Sequence, residues 1–390
     1  MNEVAEKICV GFVGTCEKFY TDESGIPMYR TGNLNGLSLN RDDLKYVTNE
    51  FHQHNQKSQL KAGDILIARH GDSGKAVNYE NSEEANCLNI VIIRPDFKKC
   101  NYKFLTNCIN SPECQKHIKS LSAGSTQAVI NTSEIEKLGV VIPANIDEQN
   151  RIARYFSTLD NLITLHQRKC EQTKKLKKYM LQKMFPQNGA KVPEIRFDGF
   201  TYDGEQRKLG DIYGSIGNAF VGTATPYYAE HGHFYLESNN VKDGQINHNA
   251  EIFINDEFYE KQKDKWLHTG DMVMVQSGHV GHAAVIPEEL DNTAAHALIM
   301  FRNPKEEIEP YFLNYEYQTD KAKKQIENIT TGNTIKHILA SDMQEFVVDI
   351  PKYEEQKVIA SYFCNLDNLI TLHQRQTDFY KKPNFYFISS

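Results

Sequence analysis

The chain has 390 residues, of which 40% are hydrophobic and 24% charged, and its formal net charge is −7. This length allows two or three domains, and the composition is ordinary for a globular protein. Apolar runs such as 89–93 and 272–275 are far shorter than the roughly 20 residues that span a bilayer. Because the first ten residues also lack the pattern of a signal peptide, we expect a cytoplasmic protein. The net charge argues against a chain coated in nucleic acid, although a local basic face can coexist with it.

Residues 1–146 are predicted to form a body of mixed helices and strands. Short β-rich runs occur at Asp64–Ala68, Leu88–Ile93 and Gly139–Ile142, and clusters of Gly, Asn and Asp mark the turns between them. A helical stretch is predicted over Tyr102–Leu121. The pattern therefore favours short strands with helices added to them.

A long helix is predicted over residues 147–185. Two acidic residues at its start suit the positive end of the helix dipole, and Pro186 ends it. Apolar and small residues recur at steps of four and three from Ile152 to Thr173, which is typical of a coiled-coil seam. The last third of the helix is predicted to present a solvated basic face, made of Lys174, Lys175, Lys177, Lys178 and Lys183.

The rest of the chain follows the same plan a second time. Residues 186–208 are predicted to be a linker, 209–352 a second body, 353–380 a second long helix and 381–390 an atypical tail. Pro383 is predicted to stop the second helix early.

An internal duplication explains this plan. The string LDNLITLHQR occurs at Leu159–Arg168 and again, 207 positions later, at Leu366–Arg375. Outside the helices the two copies agree at turn glycines and strand patterns, whereas their polar loops differ. We therefore expect two equivalent helical surfaces, and two similar bodies that present different loops to different targets. The first copy lacks a counterpart of Lys191–Ile212, so we expect a shortened first domain.

The sequence contains no recognisable enzyme signature. There is no P-loop and no [DN]PP[YF] string of the kind that adenine methyltransferases use. The chain has eight cysteines without any CxxC, and none is kept between the copies, so a disulfide framework or a zinc site is not expected. Three histidine pairs have the spacing of metal ligands but are not kept either: His52/His54, His231/His233 and His279/His282.

Taken together, the motifs resemble the specificity subunit of type I restriction–modification systems over nearly the whole chain. The resemblance lies in EQxxIAxxFxxLDNLITLHQR in both copies, in KLKKYMLQKMF at the end of the first helix, and in VPEIRF–GF–EQRKLGD before the second body. It implies an α+β fold in which two pseudo-twofold-related target-recognition domains are separated by two long antiparallel coiled-coil-like helices. Each domain would read one half of a split DNA sequence, and the helices would set the unread spacer.

The resemblance also implies the partners and their cofactors. Two methyltransferase subunits carrying S-adenosylmethionine would dock on the helices, and restriction subunits would add translocation that uses ATP and Mg. The chain itself would be non-catalytic, without a metal or cofactor of its own. The expected packing and docking residues are Ile152, Phe156, Leu159, Leu162, Ile163, Ile359, Phe363, Leu366, Leu369 and Ile370.

Base reading needs forked donors and amides, and phosphate contact needs Lys, Arg, Ser or Thr. Three loops in each body supply them. The candidates in the first body are Arg30, Asn33, Asn35, Arg69, Ser73, Lys75, Ser125, Thr126 and Gln127; those in the second are Asn239, Asn240, Gln276, Ser277, His279, Asn333, Thr334 and Lys336. Two alternatives stay open: a coiled-coil scaffold that does not bind DNA, and an inactive or rearranged copy of a specificity subunit.

Overall fold

The computed structural model describes residues 1–35, 38–69, 74–122, 129–187, 189–332 and 336–381, without the side chains of Asn35, Leu121 and Ser122. The chain divides into two compact units, Met1–Thr164 and Leu165–Ser390. Among the described residues, no helix is both long and apolar enough to cross a membrane.

The first unit contains ten strands and the start of a long helix among its described residues. The strands are β1 (Ala5–Val10), β2 (Tyr20–Thr21), β3 (Ile26–Arg30), β4 (Leu34–Asn35), β5 (Ser38–Leu39), β6 (Lys45–Val47), β7 (Asp64–Ala68), β8 (Ala76–Tyr79), β9 (Asn86–Leu88) and β10 (Ile90–Pro95). The helices are α1 (Asn49–His54), α2 (Tyr102–Ile109), α3 (Pro112–Ser122), α4 (Thr132–Lys137) and α5 (Ile146–Lys183), of which α5 continues into the second unit.

The second unit repeats this series of elements. Its strands are β11 (Glu205–Lys208), β12 (Tyr213–Asn218), β13 (Tyr228–Ala229), β14 (His233–Leu236), β15 (Val241–Lys242), β16 (Gln245–Ile246), β17 (Phe253–Ile254), β18 (Met272–Val275), β19 (Ala283–Val285), β20 (Ala294–Ala295), β21 (Leu298–Pro304) and β22 (Val347–Ile350). Its helices are α6 (Leu209–Ile212), α7 (Asp256–Glu260), α8 (Pro310–Glu316), α9 (Asp320–Ile329), α10 (Ala340–Gln344) and α11 (Tyr353–Lys381).

The two units have the same sheet topology. The order β1-β10-β7-β8 in the first recurs as β12-β21-β18-β19 in the second, and β2-β6-β3-β9 recurs as β13-β17-β14-β20. The turns match as well: Gly63 and Gly270 precede the equivalent strands β7 and β18 with φ angles of 90° and 87°, which glycine adopts without strain. The α+β class and the duplication are therefore confirmed.

The side chains of strand β7 show that its sheet is buried on both faces. Successive side chains of a strand point to opposite sides. Ile65 and Ile67 pack with residues of α2 and α3 in one core, whereas Leu66 packs with Tyr29 and Tyr79 in another. In β18 the side chains alternate in the same way between two cores. A sheet between two cores gives the unbroken apolar runs seen in the sequence.

Three of the predicted elements differ in the structure. The helix predicted over Tyr102–Leu121 is two helices, because Pro112 has no N–H to give to a continuous helix and instead starts the next one. The strand predicted over Leu88–Ile93 is split at Asn89, whose φ is 55°. The prediction of a strand at Gly139–Ile142 is wrong: these residues have no regular structure. Their counterpart, β22, is a strand because it pairs with β11.

The two long helices begin and end close to the predicted residues. Helix α5 starts one residue before the predicted range and ends two residues before its end, and α11 is described as far as Lys381. Within the second unit the end of α5 runs antiparallel to α11, since Lys177 contacts Asp367 at 2.7 Å and His166 contacts His373 at 3.1 Å. The two histidines are equivalent residues of the repeated string.

The predicted helix-packing residues differ in burial. In α11, Ile359, Phe363 and Leu366 are buried in the core of the second unit. Leu369 is 44% exposed, so it does not pack in the core of this unit, and its predicted role in partner docking stays a prediction. Half-buried positions are Ile152, Leu159, Leu162, Ile163 and Ile370. Phe156, the equivalent of Phe363, is 40% exposed, and its role in packing or partner docking likewise stays a prediction.

Candidate nucleic-acid interface

The three polar loops predicted for the second body lie together. His279 Nε2 lies 3.0 Å from the carbonyl oxygen of Ser238, which joins the second loop to the first. The N–H of Gly278 donates to the carbonyl of Lys336 at 3.1 Å, and the N–H of Ile338 donates to that of Gln276 at 3.0 Å, which joins the second loop to the third. One side-chain contact and two backbone hydrogen bonds thus hold the three loops in one surface, on which Asn239 and Lys336 are exposed.

The equivalent loops of the first body share part of this arrangement. Ile130 N–H donates to the carbonyl of Arg69 at 3.3 Å, the same bond that Ile338 makes to Gln276. The Arg69 side chain returns to Ile130, with Nε donating to its carbonyl at 3.1 Å. Arg30 pairs with Asp43 at 2.9 Å, and Lys75 is exposed. Here a guanidinium occupies the position that an amide has in the second body.

Two predicted contacts are structural instead. Asn33 and Asn240 are equivalent, and each is only 2% exposed. The Oδ1 atom of Asn33 accepts from the N–H of Arg30, and its Nδ2 donates to the carbonyl of Asp42. Asn240 makes the same kind of bonds, to Glu237, Asn247 and Asn249. These amides stabilise the loop backbone. Their predicted role in DNA contact is therefore corrected to a structural one.

Several candidates lie outside the described residues. They are Ser73, Ser125, Thr126, Gln127, Asn333 and Thr334, together with the side chain of Asn35.

A groove of about 870 Å³ opens beside the loops of the second unit. Its walls are the second and third loops, helix α9 and the facing parts of α5 and α11. Basic side chains line it, namely Lys174, Lys177, Lys178, Lys323, Lys336, His279 and His282; the acidic ones are Asp243, Asp320, Glu327 and Asp367. The five lysines outnumber the four carboxylates by one, so the groove is slightly positive although the whole chain is acidic.

The lysines that were predicted to form one solvated face have different roles. Lys177 is bound to Asp367, with both side chains largely buried, and its Nζ lies 5.0 Å from the centre of the Tyr315 ring. Tyr315 donates a hydrogen bond to the same carboxylate at 2.8 Å. Lys178, one residue further on, is exposed in the groove. The prediction of a solvated face is thus wrong for Lys177, which joins the two helices.

The histidines near the groove are held by hydrogen bonds. His282 Nδ1 accepts from the N–H of Asp243 at 3.1 Å, and burial lowers the pKa of His282. His279 lies beside it, with ring centres 5.4 Å apart. Within the ranges that the structure describes, no group of three or more His, Cys, Asp or Glu side chains is arranged to hold a metal ion.

Sequence interpretation missed a glutamine that fixes each helix to its body. Gln149 and Gln356 are equivalent and are 1% and 2% exposed. The Oε1 atom of Gln149 accepts from the N–H of Asn101, at the start of α2, at 2.9 Å, and its Nε2 donates to the carbonyl of Pro143 at 2.9 Å. The signal was present, since both glutamines stand in the repeated EQxxIA motif.

The second copy makes the same bonds. Gln356 accepts from the N–H of Glu309, at the start of α8, at 3.0 Å and donates to the carbonyl of Pro351 at 2.8 Å. We call Gln149 and Gln356 the latch glutamines. Both units therefore attach the start of the long helix to the body through the same bonds.

Comparison with known proteins agrees with the fold and with its duplication. The family model of the type I restriction modification DNA specificity domain matches residues 11–175 and again residues 203–378. The two matches cover more than half of the chain. The chain therefore belongs to this family.

Individual relatives agree with the family match. The chain is 23% identical over 378 residues to the type I restriction enzyme MjaX specificity subunit of Methanocaldococcus jannaschii, which covers 94% of this chain and 86% of the relative. It is also 23% identical over 274 residues to the MjaVIII specificity subunit of the same organism, covering 68% of this chain and 63% of that one. The crystal structure of a type I restriction-modification system S subunit from M. genitalium has a TM-score of 0.63 at 14% identity and covers 97% of this chain and 91% of that structure, which shows a shared fold.

Proposed function

We propose that this chain is the DNA-sequence-recognition subunit of a type I restriction–modification complex, and that each body reads one half of a bipartite target. The observation that carries the proposal is the double occurrence of the specificity domain, each copy with its own set of polar loops. Residues 1–146 and 209–352 are the two recognition bodies in this proposal. The scaffold alternative does not account for this family membership.

The basic groove supports contact with the DNA backbone. Lys178 and Lys336 are exposed at its walls, and Lys323 lines it from α9. Lysines at such positions neutralise phosphates without reading sequence. Base reading would then belong to the neighbouring exposed side chains, Asn239 and His279 in the second body, and to the Arg69 loop in the first. An amide suits adenine and a guanidinium suits guanine, so the two bodies would differ in the bases they select.

The remaining roles belong to other subunits in this proposal. The chain is non-catalytic, and two methyltransferase subunits carry S-adenosylmethionine while restriction subunits use ATP and Mg. Apolar side chains on the helices support a docking role: Leu165 and Leu372 are equivalent residues of the repeated string and are 44% and 48% exposed. Equivalent exposed leucines suit two copies of one partner. Changing both to Asp should prevent assembly with the methyltransferase on size-exclusion chromatography while the chain stays folded.

Salt dependence distinguishes DNA recognition from the scaffold alternative. Binding of a mixed-sequence DNA duplex by the chain assembled with its methyltransferase is measured over a range of salt concentrations. Phosphate contact predicts a steep linear fall of log affinity with log salt. Lys178→Ala and Lys336→Ala should each reduce the slope by about 1, whereas the exposed Lys175→Ala, which does not line the groove, should leave it unchanged. A flat salt dependence would support the scaffold.

A further inference from the structure

The two bodies share one exposed loop of identical sequence. Phe-Val-Gly-Thr stands at residues 12–15 and again at residues 220–223, whereas elsewhere the aligned bodies agree at no more than two consecutive residues. The loop follows β1 in the first body and the equivalent β12 in the second. We call the two copies the FVGT loops. Because the polar loops differ between the bodies, a loop that both bodies keep serves something that they have in common.

An aromatic contact anchors each FVGT loop to its body. The ring of Phe12 meets that of Phe51 edge to face at 5.0 Å. The ring of Phe220 meets that of Phe258, the equivalent of Phe51, in the same way and at the same distance. Both partner rings are buried, with exposures of 1% and 4%. The phenylalanine thus has a structural role, and it fixes the position of the three residues that follow it.

These three residues are exposed in both bodies. Val13 is 60% exposed and Val221 is 61% exposed. Gly14 and Gly222 have φ angles of 141° and 154°, which other residues rarely adopt. Within the described parts of the chain, neither the backbone N–H groups of these positions nor the threonine hydroxyl makes a hydrogen bond. Each loop therefore offers three adjacent N–H donors, a hydroxyl and an apolar tip to another molecule.

A groove of about 450 Å³ adjoins the loop of the first body. Val13 lines it together with residues 53–58, of which His54 and Lys57 are exposed. The other side chains of that segment are three amides and one serine hydroxyl. The described residues that line the groove thus include no carboxylate, although the whole chain has a net charge of −7. This composition suits a polyanion, because amides and hydroxyls donate to phosphate oxygens and lysine adds positive charge.

The second body has a basic segment at the equivalent place. The six residues that end at Lys265 contain three lysines and two acidic residues. Lys265 Nζ lies 3.5 Å from the carbonyl oxygen of Ala219, directly before the loop. His296 joins this loop to the first polar loop, since its Nε2 lies 2.9 Å from the carbonyl oxygen of Gly222 and its Nδ1 lies 3.2 Å from Glu237. The FVGT loop of this body is therefore a neighbour of a loop that is proposed to read bases.

We propose that the FVGT loops bind the sugar–phosphate backbone of DNA, one loop at each half of the target, without reading its sequence. This inference rests on the proposed function. Phosphate contacts fix the position of a protein on the duplex and carry no sequence information, so both bodies can use the same contact while their polar loops differ. The N–H groups and the hydroxyl donate to phosphate oxygens, and the valine packs against sugar carbons. The methyltransferase subunit is the other partner that both bodies share, and the experiment distinguishes it.

The test places opposite charges on the exposed valines. Affinity of the chain assembled with its methyltransferase for a mixed-sequence duplex is measured by fluorescence anisotropy over a range of salt concentrations. Val13→Lys and Val221→Lys should each tighten binding and steepen the slope of log affinity against log salt by about 1, because each adds a phosphate contact. Val13→Asp and Val221→Asp should each weaken binding by roughly threefold or more. Both valines are exposed, so the variants should fold, which circular dichroism checks.

Matched controls use an exposed valine outside the FVGT loops. Val141 is 92% exposed. Val141→Lys and Val141→Asp should leave both the affinity and the slope as they are in the natural chain. Methylome sequencing of a host that expresses Val13→Lys with the methyltransferase should find the natural methylated sequence, because the contact does not read bases.

Four results would overturn the proposal. If the natural complex shows a steep slope while the Val13 and Val221 variants behave like the Val141 controls, the proposal fails and the proposed function stands. A flat slope of the natural complex overturns both. If Lys and Asp at position 13 both reduce assembly with the methyltransferase on size-exclusion chromatography, the loop binds that subunit instead. If Val13→Lys changes one half of the methylated sequence, the loop reads bases.

Discussion

The two units of the chain have the same sheets and the same latch glutamine, but the long helix that leaves each body lies in different surroundings. Phe363 is fully buried among Phe185, Tyr315 and Tyr362, whereas its equivalent Phe156 is 40% exposed. Both stand in the same repeated motif. The repeated motif thus encodes the helix and its attachment, while burial of the phenylalanine depends on neighbouring side chains outside the motif, such as Phe185 in the second unit.

Replacing the two equivalent phenylalanines should give the largest difference between the units. Phe363→Asp places a charge in a core and leaves a cavity, and it should lower the free energy of unfolding by about 4 kcal/mol or more. Phe156→Asp should change it by less than about 1 kcal/mol, because the side chain is already in solvent. Urea unfolding of the two variants measures this, and equal losses would contradict the difference in burial between Phe363 and Phe156.

The second unit contains a buried carboxyl that should make its stability depend on pH. Burial raises the pKa of Glu316 to about 8, and the side chain is 5% exposed. An acid whose pKa is raised by folding stabilises the protein while it is protonated, and this contribution is lost as the pH rises towards 8. The natural chain should thus lose on the order of 3 kcal/mol between pH 5 and pH 8 relative to Glu316→Gln.

The first unit provides the comparison for this pH effect. Its residue equivalent to Glu316 is Cys108, which has no carboxyl. Hydrogen exchange at pH 5 and pH 8, corrected for the intrinsic rate, should show the loss of protection in α8 and β22 of the second unit. An equal loss in β7 and β10 of the first unit would argue against Glu316 as the source.

The two latch glutamines make the same bonds, so replacing either of them should lower the stability by the same amount. Gln149→Leu and Gln356→Leu each leave a backbone N–H and a proline carbonyl without a partner, so each should cost about 2 kcal/mol. Gln172→Leu, at an exposed position of α5, is the control and should cost less than about 0.5 kcal/mol. Thermal and urea unfolding check the values. A loss at only one of the two positions would mean that the bonds are not equivalent in strength.

Much of the fold follows from the sequence because it is encoded locally. The long helices were predicted from caps, periodicity and proline, and the duplication predicted that the bodies would share one topology. The absence of a strand at Gly139–Ile142 could not be predicted in the same way, since a strand needs a partner and pairing is non-local. These residues have β propensity, yet only the equivalent β22 has β11 to pair with.

The positions of the candidate loops could be predicted from the sequence, but the roles of their side chains could not. Residue type alone proposed Asn33 and Asn240 as base contacts, and the structure shows both amides bonded to the backbone. The same residue type serves turns and adenine equally well. The latch glutamines were not predicted, because they stand in a helix motif in which the apolar positions give the stronger signal. Identity between copies was the better guide there.

The central claim is that two independent bodies read the two halves of one DNA target. The most direct measurement exchanges residues 209–352 for the equivalent body of another family member and maps methylated sites in a host that also expresses the methyltransferase subunit. If the two bodies read independently, one half of the methylated sequence should change, and the other half and the spacer length should stay as they were. A change in both halves, or in neither, would contradict it.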